Sequence, residues 1–153
     1  MDNLGPRMGL SRALAVLVPA ALLGGAYVSQ YGFGLFPCEM CWWQRYPHFV
    51  ALALGLGAFA IKPGRVLVIL AGLAIITSGL IGGFHAGVEY GWWEGITNCT
   101  ATGPASAALD FSAQVVACDI PQWELWGVSL AGFNFLFSMI GGAAVMALAA
   151  YRR

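Results

Sequence analysis

The sequence predicts an all-α membrane protein: a four-transmembrane-helix bundle forming a single domain over residues 1–153. Three observations predict it. The chain is 59% hydrophobic and only 9% charged, whereas soluble domains are about a quarter charged. Long runs without charge fill 13–38 and 125–151, and a third, almost wholly apolar, fills 66–84. Basic and acidic residues also sort onto opposite sides of a four-pass layout. A water-soluble fold of 153 residues has no means of covering that much apolar surface. The formal net charge is zero and no basic patch occurs, so nucleic acid is not an expected partner and the lipid bilayer is.

Helix one is expected at about 13–34, inside the first uncharged run, which exceeds the roughly 20 apolar residues a span needs. A short loop, about 35–40, follows. The second helix is the shortest candidate. Only 16 residues separate Arg45 from Lys62, about 24 Å of helix, against a hydrocarbon core of about 30 Å. Starting at Cys41 lengthens it to about 31 Å, so the helix is expected at 41–61, beginning at or inside the pair Cys38-Glu39-Met40-Cys41. Trp42, Trp43 and Tyr46 then form an interfacial belt, and Pro47 lies in the first turns, where a missing N–H costs little.

Helix three is expected at 66–87. Gly79, Gly83 and Gly87 recur every four residues, a small-residue stripe that lets helices approach closely in lipid; Gly24, Gly55, Gly72 and Gly142 are candidates for the same use. A long loop, 88–124, leads to helix four at 125–151. Within that loop, residues 104–117 are expected to form a short surface-lying helix with Pro104 at its start.

Arg7, Arg12, Lys62, Arg65, Arg152 and Arg153, six of the seven basic residues, fall on one side of this layout. By the positive-inside rule both termini are cytoplasmic. Six of the seven acids fall on the other side. An N-terminal signal peptide is the weaker reading of residues 7–38, because the apolar run is long and lacks a polar cleavage region. Arg45 alone among the basic residues lies outside. Lipid snorkelling would explain it blandly, but one helical turn beyond Cys41 a guanidinium can hold a thiolate or the oxygen of a bound acceptor.

All four cysteines, Cys38, Cys41, Cys99 and Cys118, fall on the non-cytoplasmic side, where an even count implies disulfides. An all-cysteine zinc site usually has two close pairs, and only one pair is close here. Covalent haem needs histidine after the second cysteine, and residue 42 is tryptophan. A bridge between Cys99 and Cys118 alone reads as a loop staple. A bridge between Cys38 and Cys41 closes a very small ring and stabilises little, so redox chemistry explains it better. At a helix start, Cys41 is favoured as a thiolate.

With "PCEMCWWQR" after helix one, "FHAGVEYGWW" leaving helix three, the Cys99/Cys118 loop and "CDIPQWELWGVSLAGFN" entering helix four, the whole chain resembles the disulfide bond formation protein B (DsbB) family. These are quinone-dependent thiol oxidases of the bacterial inner membrane. The resemblance implies that a periplasmic thioredoxin-fold protein of the DsbA type is reoxidised at a Cys99–Cys118 disulfide, with Cys99 taking the partner. Cys118 then attacks Cys38, the exposed member of the close pair, and Cys41 leaves beside a quinone, ubiquinone or menaquinone. Arg45 matches the family arginine that steadies this thiolate and the quinone. His85 falls where the family often has a histidine near the quinone, and Glu89 lies one turn on; a histidine merely packed against a carbonyl is the even alternative. His48 reads as structural, and the tryptophans as interfacial anchors. The competing readings are an inert, disulfide-stapled membrane subunit and a relative of vitamin K epoxide reductase, whose close pair falls late in the chain rather than after helix one.

Overall fold

α1 (Pro6–Phe33) begins on a proline, a residue whose missing N–H is one of those a helix start leaves unpaired anyway. It ends where Gly34 takes a positive φ of 69°, the left-handed turn-off that glycine adopts without strain. α2 (Glu39–Ala60) and α3 (Gly64–Glu89) follow. This computed structural model describes residues 6–61, 64–97 and 116–150. Cys99 and residues 104–115 of the expected surface helix lie outside them.

The layout differs from expectation in two respects: α1 starts seven residues before the expected residue 13, and the fold is mostly rather than entirely helical. Residues 124–129 form a small antiparallel hairpin, β1 (Glu124–Leu125) paired with β2 (Val128–Ser129). The two residues between the strands, Trp126 and Gly127, both have positive φ, 53° and 76°, as a tight hairpin turn requires. α4 (Leu130–Ala150) therefore starts five residues beyond the expected Leu125. The Ser129 Oγ caps it, accepting from the Gly132 N–H at 3.1 Å, which satisfies one of the donors a helix start leaves unpaired. Lack of charge over 125–129 could not distinguish a hairpin from a further helical turn.

Among the described residues three helices, α1, α3 and α4, are long and apolar enough to cross a membrane. The helices pack through small side chains: Ala15, Ala51, Ala58, Ala71 and Ala149 are buried beside Val68, Ile75 and Val145. Large apolar residues such as Leu17, Leu56, Phe59, Leu80 and Ile140 face outward, the arrangement suited to a lipid surround. At one end of the bundle Arg12 lies over Phe59, and Arg65 donates to the Ala150 carbonyl at 3.0 Å. The cysteines lie at the opposite end.

The glycine stripe is only partly a helix–helix device. A Cβ on Gly79 or Gly83 would press on Ser138 or Phe135 of α4, but one on Gly87 would strike the Trp93 ring. Gly55 makes the tightest backbone approach in the α1–α2 contact: a Cβ there would sit 2.7 Å from the Ala15 carbonyl oxygen. Gly24 faces open space.

Candidate functional site

α2 begins within the close cysteine pair. Cys38 is its N-cap, with extended backbone, and its Sγ accepts from the Cys41 N–H at 3.2 Å. Sulfur thus fills the place usually taken by a serine or aspartate oxygen. This cap brings the two Sγ atoms to 2.6 Å while both remain free thiols. A disulfide bond is about 2.05 Å long, so closing it demands little movement. Cys38, Cys41 and His85 present their ligand atoms within 4.8 Å of one another.

Exposure runs opposite to expectation. Cys38 is buried, 3% exposed, and Cys41 is the more accessible of the two. The reason is tertiary: Cys38 belongs to an apolar cluster with Met40, Val88 and Cys118, flanked by Phe84 and Val116. What covers Cys38 therefore includes the chain segment that carries Cys118. Cys118 is itself disulfide-bonded and receives the Thr97 hydroxyl at 3.7 Å. The hydrogen bond to Cys41, and then burial, push the Cys38 thiol well above its ordinary range.

His85, on α3, joins the two cysteine regions. Its Nε2 lies 3.6 Å from Cys38 Sγ and 3.8 Å from Glu89 Oε1, and the Cys118 backbone lies beside the ring. Its Nδ1 is 2.8 Å from Gln44 Nε2. Glu89 is held in turn by the Ser129 hydroxyl.

Arg45 is 7% exposed, so it does not snorkel. Its Nη1 donates to Gln30 Oε1 at 2.7 Å and its Nη2 to the Ala26 carbonyl at 3.4 Å, both on α1. The guanidinium also sits 5.1 Å from the Tyr27 ring centre and 5.0 Å from that of Trp42. Two hydrogen bonds and two aromatic faces fix a charge that would be costly to bury unpartnered.

Cys41, Gln44, Arg45 and His48 recur at spacings of three and four along one face of α2. All four line a cavity of about 260 Å³. His85 and Glu89 join them from α3, apolar residues of α1 such as Leu22 and Ala26 form one wall, and Phe133, Asn134 and Phe137 of α4 another. Of the site residues expected from sequence, Cys41, Arg45 and His85 meet here, and Cys38 stands behind Cys41. Gln30, Gln44 and Asn134 were not singled out, and His48 was read as structural. The signal for Gln44 and His48 was their spacing from Cys41; for Asn134 it was an amide in an otherwise apolar helix.

These residues form a continuous polar chain. Gln44 Nε2 donates to the Met40 carbonyl at 3.2 Å, so its Oε1 turns the other way and accepts from Asn134 Nδ2 at 2.8 Å. Asn134 Nδ2 also donates to the Ser78 carbonyl at 3.2 Å. Its Oδ1 is thereby left to His48 Nε2 at 3.0 Å and to the Ser138 hydroxyl at 3.0 Å. The chain thus runs from His85 through Gln44 and Asn134 to His48.

The family profile described as disulfide bond formation protein DsbB matches residues 9–149. A curated protein of Chromohalobacter salexigens named disulfide bond formation protein B is 33% identical over 129 residues, covering 78% of this chain and 66% of that protein. A protein of Rickettsia prowazekii named uncharacterized protein RP370 is 23% identical over 133 residues, covering 81% of this chain and 77% of that one. No solved structure matches the chain.

Proposed function

The chain belongs to the DsbB family of disulfide-forming membrane oxidoreductases, and from that premise we propose that it is a thiol–quinone oxidoreductase. It reoxidises a periplasmic thioredoxin-fold protein of the DsbA type and passes the electrons to a membrane quinone, ubiquinone or menaquinone. The observation that carries this reading is one largely apolar cavity touching Cys41, Arg45 and His85 together. Apolar walls suit a lipid-soluble ring, and Arg45 supplies a fixed donor for a ring oxygen. When bound, a quinone supplies an acceptor for two electrons and two protons.

In this proposal Cys118 is bridged to Cys99. The partner's thiolate attacks Cys99 and releases Cys118. Cys118 then attacks Cys38 of the oxidised close pair, and Cys41 is expelled as the leaving thiolate. The partner's second thiol displaces Cys99 and leaves as a disulfide. Cys99 displaces Cys38 from Cys118, which restores the Cys99–Cys118 bridge and leaves Cys38 and Cys41 as the dithiol that the quinone reoxidises. The shared packing of Cys38 and Cys118 favours that transfer. Cys41 is the member that faces the cavity. Arg45 steadies the charge on that side, and His85, with Nε2 toward Cys38, is positioned to hold or move a proton. The same reading makes α2 a fourth span, both termini cytoplasmic, the cysteines periplasmic and residues 1–153 one integral membrane domain, in keeping with the placement of the basic residues.

The test mixes reduced partner with purified protein and quinone and follows quinone absorbance. Partner-dependent loss of quinone is expected. Its absence, with the protein folded and its cysteines intact, overturns the enzyme reading.

A further inference from the structure

We infer that His48 is the second polar pole of the quinone cavity, and that its Nδ1 accepts a hydrogen bond from the quinol hydroxyl farther from Cys41. The inference rests on the quinone reading above and goes beyond it, since it assigns a site that favours the reduced form.

The argument starts from two backbone carbonyls. Met40 and Ser78 orient the Gln44 and Asn134 amides, so Asn134 turns its oxygen, an acceptor, toward His48 Nε2. Nε2 must therefore carry the hydrogen. In the neutral ring Nδ1 then presents a lone pair. That atom is buried and has no hydrogen-bond partner among the described residues, and His48 is 3% exposed yet lines the cavity. A buried acceptor without a partner is costly unless something donates to it.

The spacing suits a quinone ring. His48 lies seven residues beyond Cys41 on the same face, about 10 Å along the helix. A six-membered ring with an oxygen at opposite corners and a hydrogen bond of about 2.8 Å at each end spans a similar distance. In the transfer, the thiols of Cys38 and Cys41 give up two electrons and two protons and join as a disulfide. Both ring oxygens become hydroxyls. Before transfer the far oxygen is a carbonyl, an acceptor facing the lone pair of His48. After transfer it is a hydroxyl, and His48 can accept from it. A contact made only with the product form binds that form more tightly.

The test measures binding rather than turnover. Protein carrying Cys41→Ser, which prevents electron transfer, is titrated in detergent with short-tailed ubiquinone and menaquinone analogues, each oxidised and reduced. At least one analogue is expected to bind, its quinol about tenfold tighter than its quinone, the scale of one hydrogen bond. His48→Phe, which keeps a ring without nitrogens, should abolish that difference by weakening the quinol alone. If that variant fails to fold, the ratio in protein retaining His48 still decides. Equal affinity for both forms, or equal weakening of both by His48→Phe, overturns the assignment to His48 and leaves the quinone reading standing. Binding of neither form of either analogue overturns the quinone reading, and this inference with it.

Discussion

His85 Nδ1 lies 2.8 Å from Gln44 Nε2, and this contact decides which face of the imidazole the cysteines meet. Gln44 donates, so Nδ1 accepts and the ring hydrogen sits on Nε2, the nitrogen beside Cys38. Replacing Gln44 with leucine removes that control and leaves buried partners unsatisfied. Gln44→Leu should slow quinone reduction about tenfold and destabilise the fold by about 1–3 kcal/mol, while the partner still forms its mixed disulfide. Steady-state kinetics and thermal unfolding check both halves.

Arg45 is fixed from α1, and its partners should matter as well as its charge. Arg45→Met is expected to raise the KM for quinone at least tenfold, the effect of a lost charged donor. Gln30→Leu should raise it by a smaller factor, because the Ala26 carbonyl and both aromatic rings remain. Arg45→Lys should restore only part of the loss, since lysine lacks the planar fork. Kinetics across quinone concentration would distinguish these outcomes from a general loss of folded protein.

Cys41→Ser should abolish quinone reduction yet let a mixed disulfide between Cys99 and the partner accumulate. Non-reducing electrophoresis with the partner present checks this. Normal turnover in the variant would remove Cys41 from the quinone-facing role.

The Cys38 thiol predicts a pH dependence. Its hydrogen bond to Cys41 and its burial raise its pKa above the ordinary value of 9.0. The folded state thus holds this proton more tightly than the unfolded chain does. Its contribution to stability is complete below that ordinary value and is lost progressively as pH rises above it. Thermal unfolding of the reduced protein should show a steady fall above about pH 9, and oxidising the close pair should remove Cys38's share of that fall.

The α1–α2 contact yields a paired test. Gly55→Ala puts a methyl group against the Ala15 carbonyl and should cost about 1–3 kcal/mol, whereas Gly24→Ala meets nothing within 4 Å and should be neutral. Unfolding measurements in the same detergent compare the two directly.

Composition and charge-free runs were enough to read a helical membrane protein from the sequence, because lipid demands long apolar helices whatever their contacts. The spacing of Cys38, Cys41 and Arg45, with the surrounding motifs, was enough to suggest the family. The short second run also located the start of α2 within the cysteine pair, since a helix has a fixed rise per residue. Other features depended on neighbours distant in the chain. The hairpin at 124–129 needed Tyr90, whose hydroxyl donates to the Gly127 carbonyl and accepts from the Ser129 N–H. Cys38 became the buried cysteine because the segments bearing Val88 and Cys118 close over it. His48 acquired a defined hydrogen position only through Asn134, 86 residues away. Periodicity tells which residues share a face of one helix; only packing decides which other helix, and which donor or acceptor, that face meets.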